Sequence, residues 1–289
     1  MISRRHFVWW LAGLPLLSSF PFRVSEAHGQ AALPSSGGDA AGTIGERYAG
    51  EELHYDIAFW LFKKVALAQL SFQRGDRKGR YVATLDGETL GVFGFLARYR
   101  IDSYRAVMEE IDEGRRLRSL SFEEYVKVGQ KVRRHIHTFD HQKQKWTHRL
   151  IRPSGAVTTE VRDIPAGKYY DDFLTAAYNF RSGVYGPMER GKTYAISVFP
   201  RKDVASYEVR VAPKTVEEGR RKSDKVQELG EYLIELSMDP EVINSKGGDI
   251  EGWLSKDVYP VEGTIKDVFL FGDVRGTLSK RERRVDPIV

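Results

Sequence analysis

The chain holds seven histidines and no cysteine, so imidazole and carboxylate groups must supply any metal or acid–base chemistry. His135 and His137 lie two apart in a run that alternates apolar and basic residues, which puts both on one face of a strand. A short turn over residues 140–143 would set His148 opposite His135, and three imidazoles on one face can bind zinc or copper. Arg133, Arg134, Lys143, Lys145 and Arg149 surround them, and Asp140 is the one carboxylate at ligand spacing. Nearby cations disfavour a dication. The stretch therefore reads as an exposed basic sheet face, and neither a metal nor another cofactor is expected.

Asp171 and Asp172 are adjacent carboxylates ahead of apolar residues at 173, 174, 177, 178 and 180, the spacing of a helix. Neighbours at a helix start face different ways, which makes a poor acid–base pair. The pattern suits an N-cap, with Gly183 as the stop. Arg181 lies nine residues after Asp172 on the same helix; buried there, it would pair with a strand carboxylate. Trp253, Ser255 and Asp257 alternate as on one strand face. No histidine is near them in sequence and no glycine pair flanks Ser255, so a nucleophile elbow is excluded and Trp253 reads as core or cavity wall. Trp253, Asp257, Asp172, Arg181 and Tyr178 are the residues that would line a ligand site or its wall; no residue is singled out as catalytic. The run over 91–95 lacks the later glycine or Lys-Ser/Thr of a phosphate loop. It reads as a bulge, with an apolar tip as the alternative.

These groups need elements to hold them, and most of the chain has period two. Leu53, Tyr55, Ile57 and Phe59 alternate with Glu52, His54, Asp56 and Ala58, the pattern of a half-buried strand. Further strands are expected over 65–72, 79–90, 97–107 and 117–126. A hairpin follows over 131–139 and 145–151, then a short strand over 157–161. The second half repeats the texture over 193–199, 206–211, 225–238, 249–255, 261–269 and 274–280. Turn residues separate these runs at intervals of roughly 8–12 residues, as in all-β folds. The fold class is therefore mainly β: a large curved antiparallel sheet, or an open barrel or sandwich, of about a dozen strands. One short helix between the halves would cover its apolar concave face.

The first residues read as an address. Arg4 and Arg5 precede an apolar run over 7–20, too short for a hydrocarbon core, which takes about 20 residues. Ser25 and Ala27 place small residues for cleavage after Ala27, so 1–27 is expected to be a cleaved export signal. Ser3-Arg4-Arg5-His6-Phe7 resembles the twin-arginine consensus; a general secretory n-region with two adjacent arginines is the alternative. Residues 28–45 are rich in Ala, Gly and Ser and read as a linker, leaving one β-rich domain over 46–284. The expected location is the periplasm, with no membrane span in the mature chain. With 289 residues, 45 basic and 40 acidic, the net charge of +5 is too small to argue nucleic-acid binding. The missing cysteines exclude disulfides, thiolate metal sites and a lipid-modified N-terminal cysteine.

The order of several short runs is familiar. Residues 172–181, Asp-Phe-Leu-Thr-Ala-Ala-Tyr-Asn-Phe-Arg, are followed by Gly191-Lys192 and Val198-Phe199. Near the end come Gly252-Trp253-Leu254-Ser255-Lys256-Asp257, Tyr259-Pro260-Val261 and Phe271-Gly272-Asp273-Val274. In the first half Gly45-Glu46-Arg47 opens the domain and Phe139-Asp140 precedes a turn. Over 45–282 this order resembles domain-of-unknown-function family 3108, exported bacterial proteins. Thr175 stands where Ser is commoner, and 213–225 is a long charged stretch that reads as an extended loop. The resemblance implies a β-rich periplasmic or envelope protein and carries no activity over. By analogy of fold it is also similar to the open half-barrels of bacterial lipoprotein carriers. The expected function is a non-enzymatic binding or cell-envelope module whose apolar concave face holds a lipid-like ligand or an envelope protein partner. The alternatives are an envelope glycan hydrolase and a structural partner that pairs by an exposed strand edge.

Overall fold

A computed structural model describes residues 42–201, 204–224, 229–237, 240, 245–268 and 271–284. The expected export signal and residues 28–41 of the expected linker lie outside the described residues, as do 225–228 and Met238 of the expected 225–238 strand. Among the described residues, fourteen antiparallel strands form one sheet. The first half supplies β1 (Glu51–Phe59), β2 (Phe62–Arg74), β3 (Arg80–Thr89), β4 (Ile101–Ile111), β5 (Arg116–Val128), β6 (Lys131–Asp140), β7 (Lys145–Ile151) and β8 (Val157–Asp163). The second supplies β9 (Thr193–Arg201), β10 (Val204–Val211), β11 (Tyr232–Ser237), β12 (Asp249–Leu254), β13 (Pro260–Val268) and β14 (Gly272–Arg283). Each half is a meander, and β1 pairing with β14 joins them, so β8 and β9 are the two edges.

The sheet is curled. Laid flat at the usual spacing of roughly 4.8 Å, β9 and β7 would lie about 60 Å apart. Instead the Phe199 ring of β9 lies 5.7 Å from Trp146 of β7 and 4.3 Å from His137 of β6. The edges thus approach through side chains without closing by strand pairing. The link from β8 to β9 must cross this gap, and it carries the helix α3 (Phe173–Arg181). Asp172 caps α3 by accepting from the Leu174 and Thr175 amides, both at 2.9 Å. The helix stops at Gly183, whose φ of +75° suits glycine. The Val184 amide bonds back to the Asn179 carbonyl and that of Gly183 to Phe180, both at 3.0 Å, so the last carbonyls are satisfied.

Further helices among the described residues correct the expectation of a single one. The helix α1 (Ile44–Tyr48) starts within the stretch read as linker: Thr43 caps it, and Ile44 and Tyr48 are buried. The helix α2 (Gly91–Leu96) replaces the expected bulge; its six residues are apolar all round and give no period to read. The helix α4 (Lys214–Asp224) replaces the expected charged loop. Its inward face is Val216, packed with Leu233 and Trp253, and buried Glu217, so charged residues hide its period. The interior is filled. Phe72, Tyr81, Met108, Leu117 and Phe122 from the sheet and Tyr178 from α3 are almost completely buried in one cluster.

Candidate functional site

The expected ligand-lining residues fall in three places. At the end of α3, Arg181 forms a bidentate pair with Glu51 of β1 at 2.7 and 2.6 Å, and its Nε donates to the Val258 carbonyl at 2.8 Å. Tyr178 donates to the same Glu51 at 3.3 Å, and the guanidinium lies 4.4 Å from the centre of the Tyr48 ring. Burial opposes the charge on Arg181, but the Glu51 pair more than offsets it and raises the pKa. Arg181 is therefore committed to the fold. Asp257 joins it in lining a cleft of about 400 Å³ with Arg47, Glu51 and Arg281. Tyr48 and Val258 are the apolar parts of a wall otherwise made of charged side chains.

At the start of α3, Asp172 also accepts from the hydroxyls of Ser119 and Thr175, both at 2.7 Å. Its burial raises its pKa, and these donors oppose the rise. Asp171 accepts from Arg116 at 2.8 Å and from Asn179 at 3.3 Å. Burial pushes its carboxyl up to about 6, against the pull of Arg116. Trp253 sits in a separate cluster with Ala212, Leu233 and Val216, under the Arg221 guanidinium at 4.6 Å. The expected strand face shared by Trp253, Ser255 and Asp257 does not form. β12 ends at Leu254, and Ser255 accepts the Tyr259 amide at 3.2 Å across a tight turn.

The histidines do gather, in a different register. His148 stands opposite His137, not His135. Its ring stacks on that of His137 with centroids 4.5 Å apart, and its Nε2 lies 3.0 Å from His135 Nδ1. Burial is the main cause that lowers all three pKa values, His135 to about 4 and His137 to about 3. The rings are neutral at neutral pH. By strand alternation Arg134 and Arg149 lie on the opposite sheet face, and Arg134 pairs there with Glu123 at 2.7 Å. The histidines thus sit half-buried or buried, with Arg133 and Arg152 as nearby cations, and not on the fully exposed basic face expected.

The chemistry left unsatisfied is apolar, at one end of the sheet. The β1–β2 turn, α2 and the β13–β14 turn meet there. Phe59 lies 5.7 Å from Phe62, 5.2 Å from Phe93 and 5.1 Å from Phe271 between ring centres. Outside this base, Leu61 is 93% exposed, Val92 72%, and Trp60 and Phe95 69% each. The β1–β2 turn has two residues, and the first, Trp60, takes φ +50°, a region that favours Gly or Asn. Gly272 allows the close approach: a Cβ there would come within 2.6 Å of the Trp60 indole nitrogen. Lys63, Lys64 and Arg98, close in sequence to these residues, are exposed, with Lys64 3.3 Å from Asp56 and the Arg98 guanidinium beside Gly129. The sequence signal is the run Phe59-Trp60-Leu61-Phe62, aromatic and apolar where a turn between strands calls for Gly, Asn or Asp.

Residues 54–279 match the family described as "Protein of unknown function (DUF3108)". The chain belongs to the DUF3108 family. A solved structure similar to this DUF3108 chain is the beta-barrel-like protein of domain of unknown function DUF1849 from Brucella abortus. It shares 11% identity, with a TM-score of 0.47, over 83% of this chain and 99% of the other. No curated protein matches the chain. Among the described residues of this DUF3108 protein, no helix is long and apolar enough to cross a membrane.

Proposed function

We propose that this DUF3108 protein is an exported, periplasmic, non-enzymatic envelope module that docks reversibly on an anionic lipid surface through its apolar tip. The observation that carries the reading is the exposed cluster built from two turns and the helix α2 around Trp60 and Leu61. Contiguous apolar patches of this kind mark interaction surfaces, and the exposed basic residues close to it in sequence match an anionic headgroup layer. The concave face expected to hold a lipid is occupied by α3 and its aromatic neighbours, so the lipid reading moves from the interior to the tip. Asp171 and Asp172, the carboxylate pair weighed for acid–base work, are tied to Arg116, Ser119 and the start of α3. The export reading rests on the arginines, apolar run and small-residue site of residues 1–27.

Burying a large apolar side chain is worth roughly 1.5–3 kcal/mol, and each basic residue near an anionic surface about 1 kcal/mol. Trp60, Leu61 and Phe95 with Lys63 and Arg98 then give on the order of 7 kcal/mol, micromolar-range and reversible binding. Flotation with phosphatidylglycerol–phosphatidylcholine vesicles tests this. The protein is expected to float with them, less so in high salt, and Leu61→Ser with Phe95→Ser to lower partition by at least about tenfold. Absence of flotation, or flotation indifferent to the double substitution, contradicts the reading. A second reading has its own observation: the edge strand β8 exposes all seven of its residues, Val157 and Val161 included. Such an edge suits pairing with a partner strand.

A further inference from the structure

We propose that His135, His137 and His148 bind a divalent transition metal of the zinc type, with Glu124 as fourth donor. The donor atoms of the three histidines all lie within 4.8 Å of one another, and the closest pair is already 3.0 Å apart. Four donors around zinc, at bonds of about 2.0–2.1 Å, sit roughly 3.3 Å from each other. The movement required is therefore a side-chain adjustment and leaves the strands in place. His137 is buried, and its Nε2 has no hydrogen-bond partner. The Glu124 carboxylate of β5, in register with His135, stands 3.8 Å from that nitrogen. Three imidazoles and one carboxylate form a donor set that suits zinc, with copper as the stronger competitor.

The charged surroundings do not oppose the ion as the residue types suggest. Arg134 and Arg149 face the other side of the sheet. Lys143 pairs with Asp140 at 3.3 Å, Lys145 with Asp163 at 2.5 Å and Arg162 with Glu160 at 2.8 Å. Arg133 and Arg152 share the histidine face by alternation and, with Arg162, are the cations that oppose the site. Trp146 donates its indole N–H to His137 Nδ1 at 3.2 Å, so the ring proton of His137 resides on Nε2. Coordination at Nε2 moves that proton to Nδ1 and breaks the bond to Trp146. The three rings also stack nearly parallel, within 10°, and must turn out of the stack to converge on one ion. Trp146 is therefore a built-in reporter.

Isothermal titration of the chelator-stripped protein with zinc chloride, with indole fluorescence followed in parallel, tests the site. One zinc per chain is expected, with a Kd below about 10 µM and a fluorescence change at the same equivalence. His135→Ala and His148→Ala, at half-buried positions, are each expected to weaken binding by at least about tenfold, with circular dichroism unchanged. The second group of ligand-type residues, Glu52, His54 and Glu282, supplies the control. Glu52 is already held by Arg284 at 2.7 Å and by Gln69 at 2.5 Å, so His54→Ala is expected to leave zinc affinity unchanged. A weaker Kd, binding indifferent to both histidine substitutions, or loss in His54→Ala overturns the assignment.

Discussion

The interior around α3 and the tip around Trp60 are both dense in aromatic rings, yet they treat their polar and apolar groups in opposite ways. In the interior each charge has a partner: Glu51 is matched to Arg181, Asp171 to Arg116, and Asp172 to four donors. The Glu51–Arg181 pair offsets the cost of burying its charges, whereas Asp171 Oδ1 and Arg116 Nε remain without a hydrogen bond. At the tip Phe59 and Phe93 are only half-buried, Phe62, Phe271, Trp60, Leu61, Val92 and Phe95 are exposed, and the turn that lifts them takes a backbone conformation poor for tryptophan. The difference separates two jobs. One region holds the curled sheet together, and the other gives up some stability to present a surface.

Breaking the interior should cost most. Arg181→Met leaves Glu51 buried without its guanidinium and is expected to lower unfolding free energy by about 3–5 kcal/mol, read from urea denaturation. Adding Glu51→Met should return part of that loss, since both charges are then gone. A loss under about 1 kcal/mol in the single variant would mean the pair behaves as a surface ion pair, and the contrast with the tip would fail.

Asp171 sharpens the same point through pH. Its carboxyl holds a proton up to about pH 6 in the fold, against 3.8 for the ordinary group. Its contribution is therefore fullest below pH 3.8 and is lost as pH rises through 6. Relative to Asp171→Asn, the wild-type protein should lose about 2 kcal/mol of stability between pH 4 and pH 7, at about 1.4 kcal/mol per pKa unit. Parallel stability–pH curves for the two proteins would show that Asp171 is not buried as described. Asp172→Ala removes the cap of α3 and strands the Ser119 and Thr175 hydroxyls, and should cost about 2 kcal/mol at pH 7.

The two regions were not equally legible in the amino-acid order. The strands were, because one face of each is buried and period two survives, as from Leu53 to Phe59. α3 was, because Asp172 and Gly183 mark its ends. The partner of Arg181 was not, since Glu51 lies 130 residues away and nothing local selects it. α4 was hidden because its inward face is one valine among charges. The register of His148 against His137 was missed because the exact turn length decides it. The curl was visible as a requirement of so many strands, but the meeting of Phe199 with Trp146 and His137 belongs to long-range packing. At the tip the clue was a conflict: residues 59–62 have strand composition where a turn must be.

The smallest stability effect is expected at the tip. Trp60→Gly relieves the left-handed backbone, worth about 1–2 kcal/mol, but adds freedom to the unfolded chain of up to about 1 kcal/mol. Thermal unfolding should therefore shift upward slightly or not at all. A marked destabilisation would make Trp60 a core residue and remove the distinction between the regions.

The most direct measurement uses the indole itself. Vesicles of phosphatidylglycerol with acyl chains brominated near the headgroup quench tryptophans that enter the membrane. In the chain from residue 28 on, which lacks Trp9 and Trp10, the other two tryptophans, Trp146 and Trp253, are buried at 4% and 3% exposure, so quenching should report Trp60. The account predicts quenching in the wild-type protein that disappears in Trp60→Phe, with folding unchanged. No quenching, or quenching that persists in Trp60→Phe, would contradict docking through the tip.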